Sequence, residues 1–173
     1  MNVLTIFKQI RTFIFDVDGV LTDGSVQVFD TGEQVRRMNT KDGYALQLAI
    51  KKGYGMAIIS GGASEGVRKR LQGLGVRDIF LKVDNKKQQL EQYVLEKGLQ
   101  YDGILYMGDD IPDYQVMKQV GLACAPADAI PDIKHISGYI SNFAGGHGCV
   151  RDVIEKVLRL NGDWEGDVLV ASK

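Results

Sequence analysis

Apolar and polar positions follow two rhythms along this chain. Short, nearly unbroken apolar runs at Phe13-Ile14-Phe15, Gly55-Met56-Ala57-Ile58-Ile59-Ser60, Ile104-Leu105-Tyr106-Met107 and Leu122-Ala123-Cys124-Ala125 have the length and continuity of strands buried on both faces. Val76 to Val83 supplies another short strand, and Tyr139-Ile140 a last one. Between these runs the spacing turns helical. Ala45, Leu46, Leu48, Ala49 and Ile50 share one broad face of a helix that Thr40 or Asp42 can cap and Gly53 ends. Ser64 caps a helix reaching Leu74, Lys86 to Glu96 forms the next, and Tyr114 to Gln119 follows Pro112, which suits a first helical turn. Cys149 to Leu160 closes the series as an amphipathic helix.

One stretch breaks the alternation. Ser25 to Asp30 and Gln34 to Asn39 flank the turn Asp30-Thr31-Gly32-Glu33 and predict a hairpin, a flap over about residues 24–39. Elsewhere strand and helix alternate, so the expected fold is α/β: a doubly wound, Rossmann-like parallel sheet in a single domain over residues 1–160. The polar residues 161–173 predict a C-terminal tail.

Composition narrows the picture. The 173 residues are 45% hydrophobic and 25% charged, enough for one real core, and a net charge of −1 makes no electrostatic case for nucleic acid or an anionic membrane as partner. No segment approaches the ~20 apolar residues of a membrane span, and Met1 to Thr12 lacks a signal-peptide core. A cytoplasmic protein is expected. Cys124 and Cys149, far apart and outside any Cys-x-x-Cys, predict buried thiols rather than a disulfide scaffold or zinc site.

The candidate chemistry sits at strand ends. Alternation places Asp16 and Asp18 on the same side of the chain, just before the turn at Gly19. Carboxylates this close repel unless a cation or shared proton relieves them, which points to a hard, oxygen-seeking ion such as Mg²⁺ and to a phosphate beside it. An EF-hand is excluded because its sixth and twelfth positions are Leu21 and Gln27 here. Later strand ends bring Ser60-Gly61-Gly62, then Lys86 at a helix start, then Asp109, Asp110 and Asp113. Each taken alone has a plain reading as a turn, a solvated helix start or a capping loop. In a doubly wound sheet, however, all of these ends face one crevice. Other local likenesses carry less. Asp30-Thr31-Gly32 spells an aspartic-protease triplet but sits in a polar hairpin turn, and Gly145-Gly146-His147-Gly148 lacks the Gly-Lys-Ser/Thr of a phosphate-binding loop and predicts a hinge. His135 and His147 have no spaced metal partner.

The stretch Asp16-Val17-Asp18-Gly19-Val20-Leu21-Thr22, with Ser60, Lys86 and Gly108-Asp109-Asp110 following in order, resembles the four motifs of the haloacid dehalogenase superfamily of phosphatases. The resemblance implies Asp16 as nucleophile and Asp18 as general acid and base, with Ser60, Gly61 and Lys86 holding phosphoryl oxygens. It implies Mg²⁺ bound by Asp16, Asp109 and the carbonyl of Asp18, with Asp110 and Asp113 behind them. There is no room for an inserted cap domain, so substrate selection falls to the flap or to other copies of the chain. Over nearly the whole length, through Asn39-Thr40-Lys41-Asp42-Gly43-Tyr44, Arg70, Asn85-Lys86 and Gly145 to Gly148, the chain is similar to the 3-deoxy-D-manno-octulosonate 8-phosphate phosphatase family. That likeness implies a capless homo-oligomer, a tetramer, in which Asn39, Thr40, Lys41, Asp42, Gly43 and Arg70 contact a phosphorylated sugar acid of lipopolysaccharide precursor synthesis. Gly62 departs from the basic residue common at its position, which leaves a nine-carbon sugar acid open as substrate. Two readings of another class also stay open: a receiver domain, although Ala57 to Ser60 lacks the acceptor Asp, and a non-catalytic regulatory module.

Overall fold

The computed structural model describes residues 2–165 and residue 170. In chain order its elements are α1 (Val3–Gln9), β1 (Thr12–Phe15), the hairpin strands β2 (Gln27–Val28) and β3 (Gln34–Val35), α2 (Thr40–Lys51), β4 (Gly55–Ile59), α3 (Glu65–Gly73) and β5 (Asp78–Phe80). They continue with α4 (Lys86–Lys97), β6 (Ile104–Met107), α5 (Tyr114–Met117), β7 (Leu122–Ala125), α6 (Pro131–Ile136), β8 (Tyr139–Ile140) and α7 (Cys149–Asn161).

Six strands form one parallel sheet in the order β5-β4-β1-β6-β7-β8. From β1 the chain winds outward through β4 to β5, then crosses back to β6 and winds the other way. The reversal lies at β1, whose Phe15 pairs with Ile58 on one side and Met107 on the other. Ligand crevices of open α/β sheets form beyond such a switch point.

Because successive strand residues face opposite ways, the sheet carries two apolar layers. Phe13, Phe15, Ile58 and Leu105 pack with α1, α2, α3 and α7, whereas Ile14, Ala57, Ile59 and Tyr106 pack with α4, α5 and α6. Burial on both faces explains why these strands read as continuous apolar runs.

Several elements differ from the expectation. The N-terminal run forms α1, capped by Asn2 and anchored by buried Phe7, and α6 had no predicted counterpart. Asn39, rather than Thr40 or Asp42, caps α2. Asn161 ends α7, and Trp164 folds back edge-on to Tyr44 and over Arg151 and Arg159, so the start of the predicted tail packs on its own chain. The rest of that tail, except residue 170, lies outside the described residues. The hairpin forms as predicted, with paired strands of two residues each, and residues Gly24 to Val35 are all exposed.

Candidate active site at the sheet switch point

Asp16 continues β1 past its last paired residue, its N–H donating to the Met107 carbonyl at 3.1 Å. The chain then turns sharply. Gly19 takes φ +82°, and a side chain there would overlap the Asp109 carboxylate, so the glycine serves both the reversal and the approach of Asp109. Thr22 ties the turn together: its hydroxyl accepts from Gly19 N at 3.3 Å and Gly24 N at 3.2 Å and donates to the Val17 carbonyl at 3.4 Å.

Behind this turn the Gly145-Gly146 backbone presses close. Gly146 N donates to the Val20 carbonyl at 2.9 Å, and a methyl on Gly145 would stand 2.5 Å from the carbonyl carbon of Gly19. The glycine stretch is therefore a wall on which the turn rests, not the hinge expected from its composition. His147 stays structural, its Nδ1 2.7 Å from the Gly145 carbonyl.

Lys86 opens α4 with its side chain buried. Its ammonium lies 3.0 Å from Asp16 Oδ2 and 2.8 Å from Asp113 Oδ1. Asp113, fully buried, also accepts from the Tyr106 hydroxyl at 2.7 Å and from Asp109 N at 3.2 Å. Its oxygens thus orient Lys86 and the Asp109 loop directly, a tighter role than holding waters. Asp110 is exposed, and its Oδ1 accepts from Ile111 N at 2.7 Å. Ser60 is buried at the end of β4, with Gly62 N donating to its hydroxyl at 3.2 Å.

Carboxylate oxygens of Asp16, Asp109 and Asp113 lie within 4.8 Å of one another. Burial, then the charge of Asp113, raises the Asp16 carboxyl, while burial with Asp113 and Asp110 pushes Asp109 up to about 7. Burial opposes charge on Lys86 too, but Asp16 and Asp113 prevail and raise its pKa. One ammonium thus faces more negative charge than it neutralises. A hard divalent cation fits this donor set, because it would stabilise the ionised form of Asp16 and Asp109 together.

An open cavity of about 750 Å³ gathers Asp16, Asp18, Ser60, Gly61, Lys86, Asp109, Asp110 and Asp113. Asn39, Thr40, Lys41, Asp42, Gly43 and Arg70 do not line it. Asn39 donates to the Gly146 carbonyl at 3.2 Å, Asp42 is buried and accepts from Arg151 N at 2.8 Å, and the Arg70 guanidinium lies close to Gly43. Lys41 lines a separate cavity of about 560 Å³ with His147, Arg151 and Arg159. Within one chain Asn39 and Asp42 join the N-terminus of α2 to that of α7, and Arg70 of α3 packs near Gly43, outside the acidic cavity.

Two residues escaped the sequence reading. Tyr106 carries the only side-chain polar atom in β6, and such a hydroxyl requires a buried partner, which is a usable signal. Arg36, at the hairpin base, reaches Asp18 with Nε 2.6 Å from Oδ1 and Nη2 3.3 Å from Oδ2. Nothing in its local sequence separates it from exposed Arg37.

Paired aspartates just after β1, a hydroxyl just after β4, a buried lysine and an acidic loop, converging at the switch point, define the phosphatase class of the haloacid dehalogenase superfamily. The chain is 34% identical over 161 residues to the 3-deoxy-D-manno-octulosonate 8-phosphate phosphatase of Salmonella typhi, covering 93% of this chain and 86% of that one. A crystal structure of the phosphatase of that name from Yersinia pestis superposes with a TM-score of 0.92 at 32% identity, over 95% of this chain and 89% of the other. A third, from Moraxella catarrhalis, in complex with magnesium ion, phosphate ion and a KDO molecule, gives 0.88 at 30% identity, over 91% of each chain. No protein-family model matches the chain. The chain belongs to the 3-deoxy-D-manno-octulosonate 8-phosphate phosphatase family.

Proposed function

We propose that this chain hydrolyses 3-deoxy-D-manno-octulosonate 8-phosphate to the free sugar acid and inorganic phosphate, with Mg²⁺ as cofactor. The observation that carries the reading is the convergence of Asp16, Lys86, Asp109 and Asp113 in one cavity, in a chain whose relatives bear that activity in their names.

The residues fit a two-step displacement. A carboxylate oxygen of Asp16 attacks phosphorus, and the bond from phosphorus to the sugar oxygen breaks as Asp18 gives that oxygen a proton. Water then attacks the aspartyl phosphate, Asp18 takes its proton, and the bond between Asp16 and phosphorus breaks to release phosphate. Lys86, fixed by Asp113, and the Ser60 hydroxyl with nearby backbone N–H groups hold the phosphoryl oxygens where charge gathers. Asp16, Asp109 and the Asp18 carbonyl would hold Mg²⁺, whose bound charge would screen the phosphate from the carboxylates.

We also infer assembly as a homo-oligomer, a tetramer. Val28 is 65% exposed on the hairpin, with Phe29 and Val35 exposed beside it, an apolar strip that a second copy would cover. Contacts of Asn39 to Gly43 or Arg70 with the sugar acid would then come from a neighbouring copy. Among the described residues no helix is long and apolar enough to cross a membrane. The buried free thiols of Cys124 and Cys149 fit a cytoplasmic setting.

Phosphate release from eight- and nine-carbon sugar-acid phosphates, with Mg²⁺ and with chelator, tests the reading. Release from the eight-carbon ester, dependent on Mg²⁺ and abolished by Asp16→Asn with the fold intact, is expected. Faster turnover of the nine-carbon ester would move the substrate assignment, and no release from any ester would favour a receiver or regulatory domain.

A further inference from the structure

Arg36 is the one hairpin-borne side chain among the described residues that pairs with a carboxylate of the acidic cavity. Residues Gly24 to Val35 are all exposed, yet the Arg36 side chain keeps only 7% of its surface and holds both oxygens of Asp18. It lines a narrow cleft with Ser60, Gly62, Ser64 and Leu81 that leaves no room for a water molecule. Gly62 makes this placement possible. A Cβ there would stand 3.1 Å from Asp18 Oδ2 and 3.6 Å from Arg36 Nη2, so any larger side chain would compete with the guanidinium for the same space.

A forked contact of this kind constrains more than a point charge does. Two N–H donors set in a rigid plane fix both the rotation and the reach of the carboxylate they hold. Asp18 itself is about one-third exposed, on a turn whose other polar groups are occupied by Thr22, and among the described residues its carboxylate has no other side-chain partner in hydrogen-bond reach. The hairpin is fastened at its base by the Arg37 to Asp23 ion pair at 3.2 Å and the Thr22–Met38 bridge. Docking of the hairpin and placement of Asp18 therefore depend on the same few residues.

We propose that Arg36 is the positioning residue for Asp18: through it, the docked hairpin aims the general acid at the leaving oxygen, in the space that Gly62 leaves free. The inference rests on the reading of Asp18 as general acid. It assigns the hairpin a part in the chemical step beyond shaping the substrate wall.

The test compares kcat/KM for two aryl phosphates, phenyl phosphate with a poor leaving group and 4-nitrophenyl phosphate with a good one. Departure of the first needs a proton and departure of the second hardly does, while general acid catalysis is worth about 100- to 10,000-fold where it is needed. Arg36→Ala should lower kcat/KM for phenyl phosphate by about 10- to 100-fold and for 4-nitrophenyl phosphate by less than about threefold. Arg36→Lys should recover part of the loss, and Arg36→Ala should add nothing in an Asp18→Asn background, since the group it aims is gone. Equal losses on both esters, or a further loss in the Asp18→Asn background, would overturn the proposal. If Asp18→Asn itself shows no dependence on the leaving group, the assignment of Asp18 fails, and the role of Arg36 with it.

Discussion

Gly145→Ala tests whether the glycine wall sets the geometry of the turn that follows Asp16, the proposed nucleophile. Gly145 has an ordinary negative φ, so alanine meets no backbone penalty there, and its effect comes from contact alone. The new methyl would lie 2.5 Å from the carbonyl carbon of Gly19 and 2.9 Å from the carbonyl oxygen of Thr22, where ordinary contact begins at 3.4 Å. All these neighbours are backbone and cannot rotate aside. Relief requires the two segments to part by about an ångström, and overpacking of this kind costs about 1–3 kcal/mol. In a chain of this size that corresponds to a fall in Tm of roughly 2–4 °C per kcal/mol. Gly19 follows Asp18 directly, so the displacement passes into the catalytic turn, and a misplacement of about 1 Å can cost about 100-fold in rate. Urea unfolding and phosphate release would be measured beside Gly73→Ala, where a methyl meets nothing within 4 Å and should leave activity unchanged. A Gly145→Ala protein with turnover within about threefold of the parent and an unmoved unfolding midpoint would refute the reasoning.

Other substitutions probe the charges. Lys86→Met removes the ammonium between Asp16 and Asp113 and should abolish turnover and destabilise the chain by about 3–5 kcal/mol in chelator, read from denaturant midpoints. Saturating Mg²⁺ at about 100 times its Kd should stabilise the parent by about 2.7 kcal/mol in thermal melts, a shift that Asp109→Asn should remove. Burial pushes the Asp42 carboxyl from its ordinary 3.8 up to about 6, so the folded chain holds that proton more tightly than the unfolded one. The resulting stability is present below about pH 4 and is lost as pH rises through 6. Asp42→Asn should therefore gain on the parent between those values by on the order of 3 kcal/mol, and a difference that ignores pH would count against it. Replacing Val28 and Phe29 by Ser should dissociate the proposed homo-oligomer, and a parent chain that sediments as a monomer would overturn that part of the proposal.

The strands β6 and β7 were legible to the residue, because burial on both faces leaves apolar runs with polar ends, and β8 was legible although it is an edge strand with Ile140 exposed. Asp16, Asp18, Ser60, Lys86 and Asp109 were legible for the related reason that they follow those runs. α6 was not: six residues with only Ile133 buried leave no periodic face to detect. Arg36 could not be read because its partner depends on how an exposed hairpin folds back onto β1. Within one chain Asn39 and Asp42 join two helices, and the sequence alone does not separate that use from ligand contact, since a cap and a buried carboxylate use the same polar residues as a binding site. Gly145 and Gly146 looked flexible, whereas their lack of side chains allows close packing.

The proposed nucleophile and metal ligands follow strands clamped between two apolar layers, while among the described residues the hairpin is fastened to that body at its base. One arginine at that base links the exposed hairpin to the turn that bears Asp18. Rewriting residues 24–35 while keeping Arg36 should therefore change the outer surface of the hairpin without loosening that link.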